Sequence, residues 1–239
     1  MFAGCSGLTS LNLTHFNTGE LMTTSYMFEK CTGLETLNLS GWTNESLTNM
    51  CGMFSGCTKL KDINLSGFKT DNVEGSNDNI YMSNGMCLVF QGCSSLVNLN
   101  LSSFNTAKLF KTYKMFSGCG SLRRIIIGEG WNMDNVVAST DMFNGCTSLV
   151  GNDGTKVGET IDKTFAHASE GGYLTLAGAK IPGDANGDYV VDAADIVEIV
   201  NYLQNNPSTQ FNETNADANG AGGVTAEDID TIIGIILSE

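Results

Sequence analysis

Six times in its first 150 residues the chain restarts on one string. It reads MFAGCSGLTSLNLTHFNT from Met1, MFEKCTGLETLNLSGWTN from Met27, MFSGCTKLKDINLSGFKT from Met53, VFQGCSSLVNLNLSSFNT from Val89 and MFSGCGSLRRIIIGEGWN from Met115, and a sixth start, MFNGCTSLV from Met142, dies out. The starts lie 26, 26, 36, 26 and 27 residues apart. A unit this short cannot bury an apolar face alone, so it must stack on its own copies, and insertions must map to loops on the flank. The wide third spacing therefore predicts a ten-residue insertion within Gly75 to Asn84, and the fifth unit carries one extra residue.

Fixed columns say which side chains face inward. Phe2, Phe28, Phe54, Phe90, Phe116 and Phe143 form one, Cys5, Cys31, Cys57, Cys93, Cys119 and Cys146 a second, and Leu8, Leu34, Leu60, Leu96, Leu122 and Leu149 a third. After them, Leu11 and Leu13, Leu37 and Leu39, Ile63 and Leu65, Leu99 and Leu101, and Ile125 and Ile127 alternate with a period of two, which predicts a short strand per unit. Leu11, Leu37, Ile63, Leu99 and Ile125 are expected to form one buried column of a single parallel sheet. Asn12, Asn38, Asn64 and Asn100 point the other way. That outward row is a candidate ligand face, uncharged and suited to hydrogen bonding with extended polypeptide or glycan. The same row read as a ladder that only stabilises the stack is the alternative.

Charge separates the tail from the array. The net charge is -14, yet residues 183 to 239 hold 11 acids and no Lys or Arg, leaving 15 acids against 12 bases before them. Such a surface repels phosphate backbones and anionic lipid, which argues against nucleic-acid and membrane-surface roles. No apolar run reaches the ~18 to 20 residues of a membrane span.

The acids of the tail are spaced for chemistry. From Gly183, GDANGDYVVDAADIVEIVNYL places Asp184, Asn186, Asp188, Asp192 and Asp195 at loop positions 1, 3, 5, 9 and 12, with the Val190 carbonyl at position 7. Oxygens at those offsets can wrap a hard, flexibly coordinated cation such as Ca2+. The helix pattern Ile196, Ile199, Val200, Leu203 follows. Thirty-three residues on, the design returns with Asp217, Asn219, the Gly223 carbonyl, Thr225 and Asp228, then Ile229, Ile232, Ile233 and Ile236. Tyr189 stands at position 6 of loop one, where positive φ favours Gly, and Ala221 replaces the position-5 carboxylate of loop two. Four carboxylates against two make the first loop the strong calcium site and leave the second weak or empty.

The repeat resembles the leucine-rich repeats of the BspA-like bacterial surface proteins, whose units carry a closely similar MFxGCxxLxxLNLSxFNT string. The paired loop-helix segments resemble a type I dockerin, the calcium-dependent module that docks onto cohesins. Together these imply an α/β architecture: a right-handed leucine-rich-repeat solenoid with a parallel sheet over 1–150, an array-closing cap and linker over 151–182, and a small α-helical dockerin-like calcium-binding module over 183–239. The resemblance further implies export to the extracellular space or cell surface of a bacterium, with a signal peptide upstream of a chain that opens on the repeat's own Met. The partners implied are a cohesin-like or other surface protein for the tail, and a host matrix protein or glycan for the solenoid. Dockerins commonly read cohesins through loop positions 10 and 11, which here are Ala193, Ala194, Ala226 and Glu227. These differ from the Ser-Thr pairs of clostridial dockerins.

Eight cysteines in an exported protein invite a disulfide framework, but six fill one inward column, where buried thiols act as small apolar groups. Cys51 and Cys87 stand outside it, each two residues before the next unit, and adjacent coils lie within disulfide range. The sequence leaves that bridge open. No G-x-S-x-G, H-E-x-x-H or P-loop is present, and His15 and His167 stand apart. The expected function is a non-catalytic, exported binding protein or adhesin, tethered by its tail. The alternative is the accessory part of a polysaccharide-degrading enzyme or cellulosome-like complex.

Overall fold

A computed structural model of the chain describes residues 1–75 and 84–238. They form two units, Met1–Ala177 and Gly178–Glu239.

The first unit is a parallel-sheet solenoid. Its strands are β1 (Ser10–Asn12), β2 (Thr36–Asn38), β3 (Asp62–Asn64), β4 (Asn98–Leu101), β5 (Arg124–Ile127) and β6 (Thr175–Leu176). Equivalent residues of successive units pair directly, Leu11 with Leu37 and Leu37 with Ile63, then Leu99 with Ile125. Strands of three or four residues carry few ladder bonds. Much of the backbone pairing lies instead in the MFxGC turn. There the amides of Phe28, Phe54, Phe90 and Phe116 donate to Met53, Val89, Met115 and Met142 in the next coil at 2.9–3.0 Å. Within each coil the Cys amide returns to the Phe carbonyl, at 3.1 Å for Cys57 and Phe54. This tight reversal needs a left-handed residue, which Gly56, Gly92, Gly118 and Gly145 supply at φ of 71 to 81°. Lys30 takes the same position at φ 57°, a strain of ~1 to 2 kcal/mol.

Stacking coils in register stacks like on like. The rings of Phe2, Phe28, Phe54, Phe90, Phe116 and Phe143 form a continuous column with centroids 5.3–5.9 Å apart. The cysteine column does more than fill space. The thiols of Cys31, Cys57, Cys93, Cys119 and Cys146 donate to the carbonyls of Phe2, Phe28, Phe54, Phe90 and Phe116 in the preceding coil at 3.0–3.2 Å. A second aromatic column, Trp42, Phe68 and Phe104, stacks at 6.2 and 6.0 Å. Beside it, Thr70 and Thr106 are buried, and each hydroxyl bridges the amide and carbonyl of one residue in the next coil, Asn105 and Asn132.

Three expectations change. The parallel sheet is two three-stranded sheets, β1-β2-β3 and β4-β5-β6. Among the described residues the break falls at the junction with the 36-residue spacing. The core stays continuous there, because the Phe54 amide still reaches Val89 at 2.9 Å and the Cys93 thiol still reaches Phe54 at 3.2 Å. Of the expected insertion within Gly75 to Asn84, residues 76–83 lie outside the described residues. Second, the inward columns are incomplete in coil one of the described residues: Cys5 is exposed and Phe2, Leu8 and Leu11 are half-buried. Third, the segment expected as cap and linker divides between the units. Residues 151–177 close the solenoid, with Leu176 of β6 pairing Ile127 and Tyr173 meeting Phe143 edge-on at 5.5 Å. Ile181 belongs to the core of the second unit.

The second unit carries α1 (Ala193–Leu203), α2 (Glu213–Ala216) and α3 (Ala226–Ser238) around a small core that includes Ala185, Val191, Ile199, Ala216, Val224 and Ile232. A module this small buries only a narrow stripe of each helix. Val200, Leu203 and Ile233, expected on the inward pattern, are 37%, 42% and 41% exposed. Among the described residues no helix is long and apolar enough to cross a membrane.

All eight cysteines are thiols, Cys51 and Cys87 included, and seven are buried. Burial pushes the Cys57, Cys87 and Cys146 thiols up to about 12. Alkylation of the native chain at neutral pH is therefore expected to modify Cys5 alone, and all eight in denaturant; a Cys51–Cys87 bridge would leave six. Phe90→Ala should lower the stability of the first unit by ~3 to 5 kcal/mol through the cavity it opens, read as a reduced urea midpoint.

Candidate functional site: a strand face and two acidic loops

On the strand face, Asn12, Asn38, Asn64 and Asn100 are exposed, as their alternation requires. Each also has a local task. The side-chain oxygen accepts the amide two residues on, from Thr14 at 3.1 Å and from Ser40, Ser66 and Ser102 at 3.0 Å. These turns end the strands, so the row is part of the stack's own structure and only the amide NH2 groups remain as donors toward a ligand. Beside it runs a second exposed row, Ser10, Thr36 and Asp62. Over β1–β3 the two rows line a shallow trough of about 520 Å³.

In the tail, the first acidic loop is wound around its buried ends. Asp184 is 1% exposed and Asp195 0%. Asp184 accepts the amides of Asp188 at 3.0 Å and Tyr189 at 3.1 Å, and Asp195 those of Asn186 at 3.0 Å and Asp192 at 2.8 Å. Asn186 takes the Asp188 amide at 2.9 Å and Asp188 the Val190 amide at 2.8 Å, while Asp192 caps α1 through the Ala194 amide at 2.7 Å. Tyr189 has φ 67°, so the strain expected from a non-Gly residue at position 6 is present.

Loop two repeats the scaffold. Asp228 is fully buried and accepts the amides of Asn219 at 3.1 Å and Thr225 at 2.8 Å, matching the two bonds of Asp195. Gly222 and Gly223 take positive φ, 94 and 114°. Asp217 differs from its counterpart Asp184, because its Oδ1 is buried without a hydrogen-bond partner. Asn219, Gly223 and Thr225 are exposed.

The chemistry of these residues suits a cation, although among the described residues no three or more Asp, Glu, His or Cys side chains are gathered as a bound metal would hold them. Buried carboxylates are costly unless compensated. Residues 183 to 239 contain no Lys or Arg to compensate them. Burial raises Asp184 and Asp195 to about 6. For Asp228 burial acts in the same direction, but the bonds from Thr225, Asn219 and Ala218 outweigh it and hold the carboxyl below its ordinary value. The unpartnered Asp217 oxygen is one more acceptor turned toward no donor. Oxygen-only donors of this kind suit Ca2+, which would neutralise the cluster.

The exposed surface beside the loops is largely apolar on α1 and carries a carboxylate, Glu227, at the start of α3. Ala193, Ala194, Ala226 and Glu227, the four residues at positions 10 and 11, are all exposed. On α1 they continue into Val197, 56% exposed, and Val200; Ile233, the duplicate of Val200, is exposed on α3.

A carboxyl raised on folding binds its proton more tightly in the folded state, so the metal-free fold loses stability as pH rises from 3.8 toward 6, the window of Asp184 and Asp195. In chelator, the helices of residues 178–239 should melt at a higher temperature at pH 4 than at pH 7, followed by site-resolved hydrogen exchange. Saturating calcium should reverse that order.

The family model described as "Mycoplasma protein of unknown function, DUF285" matches residues 1–84 and 77–170, and the dockerin type I domain matches residues 182–237. A leucine-rich repeat protein from Bacteroides ovatus ATCC 8483, known from its crystal structure, is similar at 21% identity over 54% of this chain and 33% of that chain, with a TM-score of 0.30. The chain thus spans about a third of the length of that protein. No curated protein is matched. The resemblances to BspA-like repeats and to a type I dockerin are both borne out. By the repeat that fills its solenoid, the chain belongs to the DUF285 family, and it carries a type I dockerin domain at its C-terminal end.

Proposed function

We propose that the protein is a non-catalytic, exported surface-binding protein or adhesin: the solenoid presents its strand face to a host matrix protein or glycan, and the tail attaches it to a cohesin-type partner. The observation that carries this reading is the duplicated acidic loop, in which Asp184 and Asp195 are buried with no cationic side chain of the segment to offset them. Calcium in such a loop would be held by Asp184, Asn186, Asp188, the Val190 carbonyl, Asp192 and Asp195. In loop two it would be held by Asp217, Asn219, the Gly223 carbonyl, Thr225 and Asp228. The ion would supply charge neutralisation, so that its binding energy becomes stability of the helices that carry Val197, Val200 and Ile233. Four carboxylates against two favour the first loop as the tighter site, and the free Asp217 oxygen supports a weaker second one. The dockerin match also supports a second reading, attachment of an accessory chain to a polysaccharide-degrading complex.

A pull-down of cohesin modules in calcium and in chelator tests the attachment. Capture is expected in calcium only, lost in Asp184→Ala and weakened less in Asp217→Ala; the reverse order refutes the ranking. On the strand face, Asn38→Asp with Asn64→Asp keeps the turn acceptors for Ser40 and Ser66 but replaces the outward NH2 donors by charge. Loss of binding to extracellular matrix proteins or glycans at unchanged thermal stability supports the face. A large fall in stability with binding intact would make the row structural.

A further inference from the structure

The extra residue of the fifth unit leaves a mark on the solenoid's closing end. Trp131 follows Phe116 by fifteen residues, whereas Trp42 follows Phe28 by fourteen. Trp42 donates its indole NH to Leu13 in the preceding coil at 3.3 Å and is 2% exposed. Trp131 donates instead to Ala166 of the closing segment at 3.0 Å and remains half-buried, packed against the core. The space beside it is a cavity of about 800 Å³ between the turn after β5 and the closing segment.

Trp131, Met133 and Leu176 contribute apolar surface to its lining. With its NH already engaged, the indole offers only ring surface. Polar groups of mixed character stand around it: Glu129, Asn132 and Asp134 on one side, and Ser169 with His167 on the other, the last two in contact at 2.8 Å. Asn132 and Asp134 brace each other, with the Asp134 amide donating to the Asn132 oxygen at 2.7 Å and the Asn132 amide group donating to the Asp134 carboxylate at 3.2 Å. Lys163, the cationic side chain in the lining, directs its ammonium to the carbonyls of Met133 and Val136, so it is not offered to an anion.

We infer that this cavity is a binding site for a neutral oligosaccharide, with a pyranose ring laid on Trp131 and its hydroxyls bonded to Glu129, Asp134 and Ser169. Anionic ligands would meet two carboxylates and no available ammonium. A lone cationic side chain would fill only part of the volume and leave Ser169 and the ring surface of Trp131 unused. A sugar presents an apolar C–H face and a rim of groups that both donate and accept, which matches a ring surface and a mixed polar wall. The site lies apart from the asparagine row of β1–β4 and does not depend on its reading as a ligand face.

Tryptophan fluorescence of the full chain tests the inference, because Trp42 is buried and Trp131 lines the site. Mannotriose, xylotriose and cellotriose are the probes, with tetralysine as the cationic control. At least one trisaccharide should give a saturable change in the millimolar range or tighter. That affinity should fall ~tenfold or more in Glu129→Gln with Asp134→Asn, whose exposed carboxylates leave the core untouched. Ser169→Ala gives an independent second loss, and Asn38→Asp with Asn64→Asp should have no effect. Saturation by tetralysine alone, silence with all three sugars, unchanged affinity in the carboxylate variant, or equal loss in the asparagine variant would each overturn it.

Discussion

Direct register between successive coils is the constraint on which the solenoid depends. When each unit has the same length, residue i of one coil sits against its counterpart in the next, and every interaction is copied along the axis. The Phe column, the Phe amides reaching the next coil and the Cys thiols reaching back to the Phe carbonyls are one arrangement repeated. Each thiol is a weak donor, but it adds a second, inter-coil bond to a Phe carbonyl that already accepts the Cys amide of its own coil, with a side chain small enough for the turn. That pairing of size with a donor explains why Cys fills the column.

The same rule explains the departures. Lys30 keeps the left-handed turn of its column without glycine, and the continuous ladder around it holds it there. At the junction after β3 the sheet is interrupted while the turn ladder and aromatic columns pass through. The stack therefore rests more on its turns and columns than on its short strands. At Trp131 one added residue moves the indole from the preceding coil to the closing segment, and a regular position becomes the edge of a cavity.

The second unit obeys a different constraint. Its apolar core is small, and the carboxylates that organise its loops are buried with it. The solenoid is stabilised by repetition, whereas in the proposed reading of the second unit a cation would add stability by neutralising those carboxylates.

By itself the sequence determined the period, the inward columns, the outward asparagines and the two acidic loops, because periodicity and ligand spacing are local and survive without coordinates. Tertiary structure decided what depends on contacts between units of chain far apart in sequence. It split the sheet at the long spacing, turned the asparagine oxygens back onto their own strand ends, and gave the cysteine thiols their carbonyl acceptors. It also left Val200 and Ile233 outside a core that their helical pattern alone would have placed them in. A pattern states which face of an element is apolar, but only the packed neighbours determine how much of that face is covered.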